Sequence, residues 1–553
     1  MRVAVQRRAV ERISSGKHRM YAHGFVEPLS QSDTSPARCA AVNTPELTNK
    51  DMRADLAYLV RLLVESHPDP FAGVGGAVNF YRLVDGVART LPDYLGTPEY
   101  LRLLRPLVAS LRDGHTTLQE MAAAPSQHLA VDFDVMADGL VIGRVYSSGF
   151  RSLVGSRLEA VNAVPIDQLT ATVERLWGCD NPVHIWCRLA DALEAPDRLA
   201  EVLRQSQARQ VTLTVRAADG TEHAVPLQWQ SGPRGRGWAA SSAVAVPSVG
   251  PTQIGWAFAD ESHHVAILRI GRLTRYREAA EVWWHSGYHH ALRHWYRELH
   301  PDTEPTDVAL QAFVAEVPAA TPVLRECLDA MARAQTPWLI VDLTESTGGQ
   351  SVLANMLGWA FFGSEALRAV DTGYQIPRYS ALYAQNYGRI PEGDWGPGGY
   401  DFSAERAWRA RQVHGMGERP ETDAWLTEVP TFQEAAQNLP EWHPRVVVVT
   451  GARTYSAGFD ILLTLKGLGA HHVGVPSAQA PNCFIDILRF TLPRSGLAGT
   501  VSFKRSMALP RLDPQVRHLE PDVALTYDQL RAYQFDPAAG VRLVLDTIRS
   551  GLW

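Results

Sequence analysis

Paired cysteines are missing from this sequence. The five thiols in 553 residues, Cys39, Cys179, Cys187, Cys327 and Cys483, are an odd number with no CxxC spacing. That excludes a disulfide framework and a thiolate zinc site, and the thiols are read as free and buried. No apolar run approaches the roughly 20 residues that cross a bilayer, so no membrane span is expected. Charge of one sign is lacking too: 53 Lys and Arg stand against 59 Asp and Glu, a formal net charge of -6, without a long basic run. Nucleic acid is therefore not an expected partner. There is no internal repeat, and a composition 46% hydrophobic, 20% charged and 9% aromatic excludes a fibrous or wholly disordered chain. The first thirty residues carry Arg2, Arg7, Arg8, Arg12 and Arg19 but no apolar segment. The expected location is the cytoplasm, with a leader concealed only by a misplaced start codon.

What is present reads as several units in succession. Residues 1–45, with Ser, Thr, Pro and Gln, form an unstructured lead-in. From 46 to 125 the pattern is helical: Leu56, Leu59, Val60, Leu63 and Val64 recur at the three-and-four spacing of one buried helix face, with further helices expected at 78–92 and 97–111. From 126 to 232, short β-rich runs such as GLVIGRVY and QVTLTVRA bracket a polar helical stretch. A Gly, Pro and Ser-rich linker follows at 233–255. From 256 to 553, the apolar runs VAILRI, PWLIVDL, RVVVVT and HHVGV alternate with helical stretches, as in a largely parallel sheet covered on both faces. Two polar and aromatic stretches, about 274–310 and 367–440, read as insertions of lid or binding type.

Three places have chemical potential. Ser456 follows the strand RVVVVT and opens a helix, where free N–H groups and the positive dipole end favour an anionic intermediate; the bland alternative is a serine that only caps the helix. Gly348 and Gly349 follow PWLIVDL and permit a tight turn whose backbone approaches a ligand closely. His115 lies in a polar turn between Gly114 and Thr116, where neutral imidazole is available as a general base.

The succession ESHPDP, LRDGHTTL, GSRLEAVNAVPI, VAILRI, VDLTESTGG, TYSAGFD, HHVGVPS, FTLPRSG and LEPDVALT, across about residues 50–548, resembles the tricorn-core and C-terminal processing (tail-specific) serine peptidase family. The resemblance implies an α/β multidomain fold: a ClpP/crotonase-like βαβ catalytic core, an N-terminal helical region that supplies His115, and a PDZ-like β-rich module that binds an extended chain end. It implies Ser456 as nucleophile and His115 as general base, with the amides of Ala457 and of Gly348, or failing that Gly349, holding the oxyanion. The lysine of the family's Ser-Lys branch is missing from GVPSAQAPN, and Lys466 reads as a solvated helix residue. The likeness is thus to the tricorn-like Ser-His branch. The carboxylate that orients the histidine there falls in LPRLDPQVRHLEPDV, where Gln515 lies closest and Asp513 and Glu520 flank it; Asp513 and Glu520 remain alternatives. Phe459, Asp460 and Thr344 also depart from the family's pattern.

The run EVWWHSGYHHALRHWYREL pairs His285 with His289, and His290 with His294, at i and i+4. Without HExxH or a third ligand, it is read as an aromatic surface helix or lid rather than a metal site. The expectation is a serine hydrolase, most simply a peptidase, acting on a peptide or protein without a cofactor or metal, with a homo-oligomer open as its assembly. The rival readings are a non-catalytic ligand-binding homologue on the same scaffold and a tailoring hydrolase or cyclase acting on a small modified peptide or ester.

Overall fold

The computed structural model describes residues 46–119, 127–207, 209–414, 424–513 and 516–553. The lead-in expected at 1–45 lies outside them, as do Pro514 and Gln515.

The N-terminal helices are Asn49–Ser66, Ala77–Thr90 and Thr97–Ala109. A reciprocal capping box between Thr48 and Asp51 starts the first, and its apolar stripe buries Leu56, Leu59 and Leu63. These helices pack on a long hairpin, Asn482–Thr491 and Ala498–Met507, in a shared core that includes Leu104, Leu488, Phe490 and Val501. After the third helix the chain turns and pairs Thr117–Gln119 antiparallel with Ala498–Thr500. That short pairing carries His115 into the middle of the protein.

The β-rich region is a seven-stranded sheet whose main path runs Glu222–Gln228, Gln210–Arg216, Arg157–Val161, Gly139–Val145 and Trp238–Ala239, every pair antiparallel. The last of these strands comes from the Gly and Pro-rich stretch: Trp238 pairs with Val145. The helices Ile166–Leu176, Pro182–Leu193 and Pro196–Leu203 lie between its strands in sequence. Its apolar core is continuous with Ala452, Tyr455, Val475 and Ala478 of the C-terminal part, so the two share one buried interface.

The C-terminal part is built on a six-stranded sheet in the order Ile254–Phe258, Val265–Ile270, Trp338–Asp342, Arg445–Thr450, His471–Gly474, Val523–Ala524. All neighbours are parallel except the first pair. Every residue of Trp338–Asp342 is buried, because apolar clusters cover both faces, one with Phe361 and Leu462, the other with Val541 and Val544.

Both insertions contain regular elements among the described residues. In the first, Arg277–His285 and His289–Leu299 are separate helices, broken at Gly287 with φ 77°, so His285 and His289 do not share one helix face. His289 stacks on Trp284 at 4.5 Å, and His294 lies 3.4 Å from Glu298. In the second, Tyr374–Pro377 joins the hairpin sheet. Asp307–Ala334 is apolar enough in composition to cross a membrane, but it forms two helices, Asp307–Glu316 and Thr321–Ala334, with Leu310, Phe313, Leu324 and Leu328 buried. Cys179, Cys187, Cys327 and Cys483 are free, the first three buried; Cys39 is outside the described residues.

Candidate active site

Ser456 occupies the turn between the strand Arg445–Thr450 and the helix Ala457–Gly467, with φ 53° and ψ -125°. That backbone conformation is costly for any residue with a side chain, by about 1–3 kcal/mol, and it clusters at functional sites. Its usual use at a strand-to-helix turn is to present a nucleophile's oxygen. Ser456 is the residue preceding the helix, yet its side chain makes no capping bond. The bland reading, a serine that only caps, therefore does not describe it. Ala457 opens the helix, in the turn where backbone N–H groups have no intrahelical acceptor.

Gly348 abuts Ser456 from the neighbouring strand end. A Cβ there would lie 2.6 Å from Ser456 Cβ, 2.8 Å from the Tyr455 carbonyl oxygen and 3.3 Å from the Ala457 nitrogen. With φ 103° as well, the position admits only glycine. Gly349 faces elsewhere, against Leu273 and Thr274. Leu273 holds this turn by donating to the Gly348 carbonyl at 3.0 Å and accepting from the Gln350 amide at 2.8 Å.

His115 reaches the site from the helical region. Its Nδ1 lies 3.2 Å from the hydroxyl of Tyr455, the residue before Ser456, and the two rings are 4.8 Å apart. The same hydroxyl donates to Asp180 Oδ2 at 2.7 Å. His115 is fixed through its backbone as well: its amide donates to Asp113 Oδ1 at 2.8 Å, and its carbonyl accepts from Thr500 Oγ1 at 2.7 Å. Asp113 in turn meets His67 Nε2 at 3.2 Å in a fully buried pair, so the sequence runs ESHPDP and LRDGHTTL are in direct contact. Gly114 has no side chain because one would strike Tyr455 Oη and the ring of His184.

The two carboxylates expected downstream are both exposed. Glu520 is exposed and accepts from His518 Nε2 at 2.6 Å; the structure does not bring it to His115. Asp513 is exposed and precedes the two residues outside the described set, of which Gln515 is one. The acids near enough to feel the His115 charge include Asp113, Asp180, Asp460 and Asp486, of which Asp113 bonds to its amide and Asp180 shares the Tyr455 hydroxyl with it. Asp180 is buried, which pushes its carboxyl up to about 6 despite the opposing pull of the nearby His115.

Lys466, on the helix after Ser456, and Lys504, on the hairpin strand Ala498–Met507, are both engaged. Lys466 pairs with Asp522 at 2.6 Å and Lys504 with Asp486 at 2.7 Å. In GVPSAQAPN, it is Gln479 that approaches Ser456, its Oε1 accepting from the Ser456 amide at 2.5 Å. The other departures from the family's pattern have local explanations. Phe459 is fully buried in the core, Asp460 accepts from Ser351 Oγ at 2.5 Å, and Thr344 bonds to Asp342 at 2.7 Å. Tyr455, Asp180, Gln479 and His67 were not singled out from the sequence. Tyr455 and His67 lie inside runs that carry the resemblance, and Gln479 in the stretch GVPSAQAPN that departs from it, whereas nothing local marks Asp180. Among the described residues, no three His, Cys, Asp or Glu side chains gather as a metal site.

The fold is similar to that of mature CPAF, with 16% identity over 89% of this chain and 96% of that one and a TM-score of 0.55. It resembles that fold rather than a close relative. A second solved structure, mature CPAF complexed with lactacystin, gives 15% identity, coverage of 91% and 99%, and a TM-score of 0.56. The photosystem II D1 C-terminal processing protease is more distant, at 12% identity, 87% and 94% coverage, and a TM-score of 0.38. No protein-family model and no curated protein matches the sequence. At such identities the likeness to CPAF is one of fold, extending over nearly the whole of both chains.

Proposed function

We propose that this protein is a serine peptidase of the tricorn-like, Ser-His type. The observation that carries the reading is Ser456: a strained, half-buried serine at a helix N-terminus, not spent on capping, with Gly348 against it. Its Oγ attacks the acyl carbon while His115 accepts the hydroxyl proton. The N–H groups of Ala457 and Gly348 hold the oxyanion, since the amide of Ser456 itself is taken by Gln479. His115 returns the proton to the departing amine. Water, deprotonated by the same histidine, then releases the acyl group and restores Ser456.

The architecture supports the finer reading of the fold as well. A parallel sheet with strand-to-helix turns at Gly348 and Ser456 suits a ClpP/crotonase-like core. The antiparallel sheet of 131–239 with its helices suits a PDZ-like module. Lys466, tied to Asp522 on the surface, supports a mechanism without a lysine base.

The test is intact-mass analysis after fluorophosphonate treatment, with Ser456→Ala alongside; lactacystin, found bound to mature CPAF, is a second probe. Stoichiometric labelling that vanishes in the variant is expected. A folded protein that takes no label overturns the hydrolase reading in favour of a ligand-binding homologue.

A further inference from the structure

We propose that Asp180, which belongs to the β-rich region, is the carboxylate that positions His115, and that it acts through the hydroxyl of Tyr455 rather than by direct contact. The inference rests on the Ser456 and His115 reading above and deepens it. Tyr455 Oη stands 2.7 Å from Asp180 Oδ2 and 3.2 Å from His115 Nδ1. An ionised carboxylate only accepts hydrogen bonds, and a phenol has one proton to give. That proton goes to Asp180, so the phenolic oxygen faces Nδ1 as an acceptor. Nδ1 must therefore carry the imidazole proton, which leaves the lone pair on Nε2, the nitrogen that serves as base. When His115 gains a second proton during the reaction, the positive ring is balanced by the Asp180 charge one phenolic oxygen away. A buried carboxylate has the same two duties in serine triads, fixing the tautomer and stabilising the imidazolium; here a tyrosine stands between.

The surroundings hold this relay in place. Asp180, Tyr455 and His115 are only 2%, 2% and 8% exposed, so water does not compete for their bonds. Burial and the Asp180 charge hold the Tyr455 phenol well above its ordinary value, which keeps its proton in place. Asp180 Oδ1 accepts from the Gly114 amide at 2.8 Å, and the Asp180 carbonyl accepts from Arg517 at 2.8 Å. Asn181, next in sequence, caps the helix Pro182–Leu193 and donates to the Ser477 carbonyl at 2.9 Å. The start of that helix thus touches both segments that carry the candidate catalytic pair. His115, Tyr455 and Asp180 come from three separate parts of the chain.

The Gly114 amide makes the effect of Asp180→Asn specific. It requires an acceptor, so the introduced amide presents its carbonyl oxygen to Gly114 and its NH2 to Tyr455. Tyr455 must then accept there and donate to Nδ1, which moves the imidazole proton to Nε2 and removes the base. Tyr455→Phe keeps the ring and deletes the relay.

The experiment uses full-length protein with 15N-labelled histidine at pH 8, the His115 resonances being assigned by their loss in His115→Gln. Wild type is expected to show a protonated Nδ1 and an unprotonated Nε2. Asp180→Asn is expected to show the reverse, and Tyr455→Phe to lose the fixed Nδ1–H form. The rate of fluorophosphonate labelling should fall by about 10²-fold or more in each variant, as expected for a misplaced tautomer, and no further in the double variant. A protonated Nε2 in the wild type, or labelling within about threefold of wild type in folded Tyr455→Phe, overturns the proposal. Should Asp180→Asn fail to fold, Tyr455→Phe decides alone. The tautomer measurement needs no substrate, so absence of labelling in wild type would sink the peptidase reading while the ring nitrogens still judge this one.

Discussion

The side-chain oxygen of Gln479 lies 2.5 Å from the amide nitrogen of Ser456. Gln479 is almost wholly buried, and its backbone amide donates to Ser477 Oγ at 3.0 Å. It therefore ties the HHVGVPS segment to the strained turn and removes the Ser456 N–H from the set available to an oxyanion.

Replacing that acceptor should loosen the turn. Gln479→Met leaves a buried N–H without a partner, which costs about 1–3 kcal/mol, and should slow labelling of Ser456. Gln479→Glu retains an acceptor oxygen and should recover most of the rate. Chemical denaturation and labelling kinetics on the same preparations check both; equal behaviour of the two variants would contradict this role.

The backbone at Ser456 predicts an unusual ranking. Ser456→Ala keeps the unfavourable positive φ, whereas Ser456→Gly removes it, so the glycine variant should be more stable than the alanine variant by about 1 kcal/mol. Neither should be labelled. Thermal unfolding in parallel gives the answer.

Gly348→Ala should be the most damaging small change near the site. The methyl would press on Ser456 Cβ at 2.6 Å in a backbone conformation that disfavours side chains. If Gly348 supplies an oxyanion donor, turnover should drop by about 10²-fold or more. Gly349→Ala strikes Leu273 instead, so it should disturb the turn with a smaller effect on labelling for a comparable loss of stability.

Lys466→Ala should leave the labelling rate within about twofold of wild type, because surface ion pairs such as Lys466 with Asp522 contribute about 0–1 kcal/mol. A collapse of labelling would instead argue for a lysine base.

Asp180 also makes stability depend on pH. Its folded value is raised to about 6, mainly by burial, from an ordinary value of 3.8. Between those limits the folded protein binds the proton that the unfolded chain has released. The contribution of Asp180 to stability is therefore largest below about pH 4 and is lost as pH rises through 6. Asp113 raises this value, while His115, Tyr455 and the Gly114 amide lower it. Relative to wild type, Asp180→Asn should gain stability between pH 4 and 7, by about 3 kcal/mol at most. Denaturant melts of both proteins across that range test the sign.

Much of this protein is legible along the chain because its signals are local. The buried strands Trp338–Asp342 and Arg445–Thr450 read as near-continuous apolar runs, and Leu56, Leu59 and Leu63 as one helix face, since burial imposes those periods on the sequence itself. Ser456, Gly348 and His115 stand out because a strand-to-helix turn and a polar turn next to glycine have recognisable residues. The hairpin Asn482–Met507 and the break at Gly287 did not stand out, one because its strands are stabilised by distant helices, the other because the aromatic pattern runs on across it. Asp180 is not legible at all. The resemblance points to the stretch after residue 508, and Asp180 comes to Tyr455 and His115 only by folding three segments together, 275 residues separating it from Tyr455 and 340 separating Tyr455 from His115. Local propensity fixes the elements, while a hydrogen bond between side chains depends on distance in space, which only the packed tertiary structure sets.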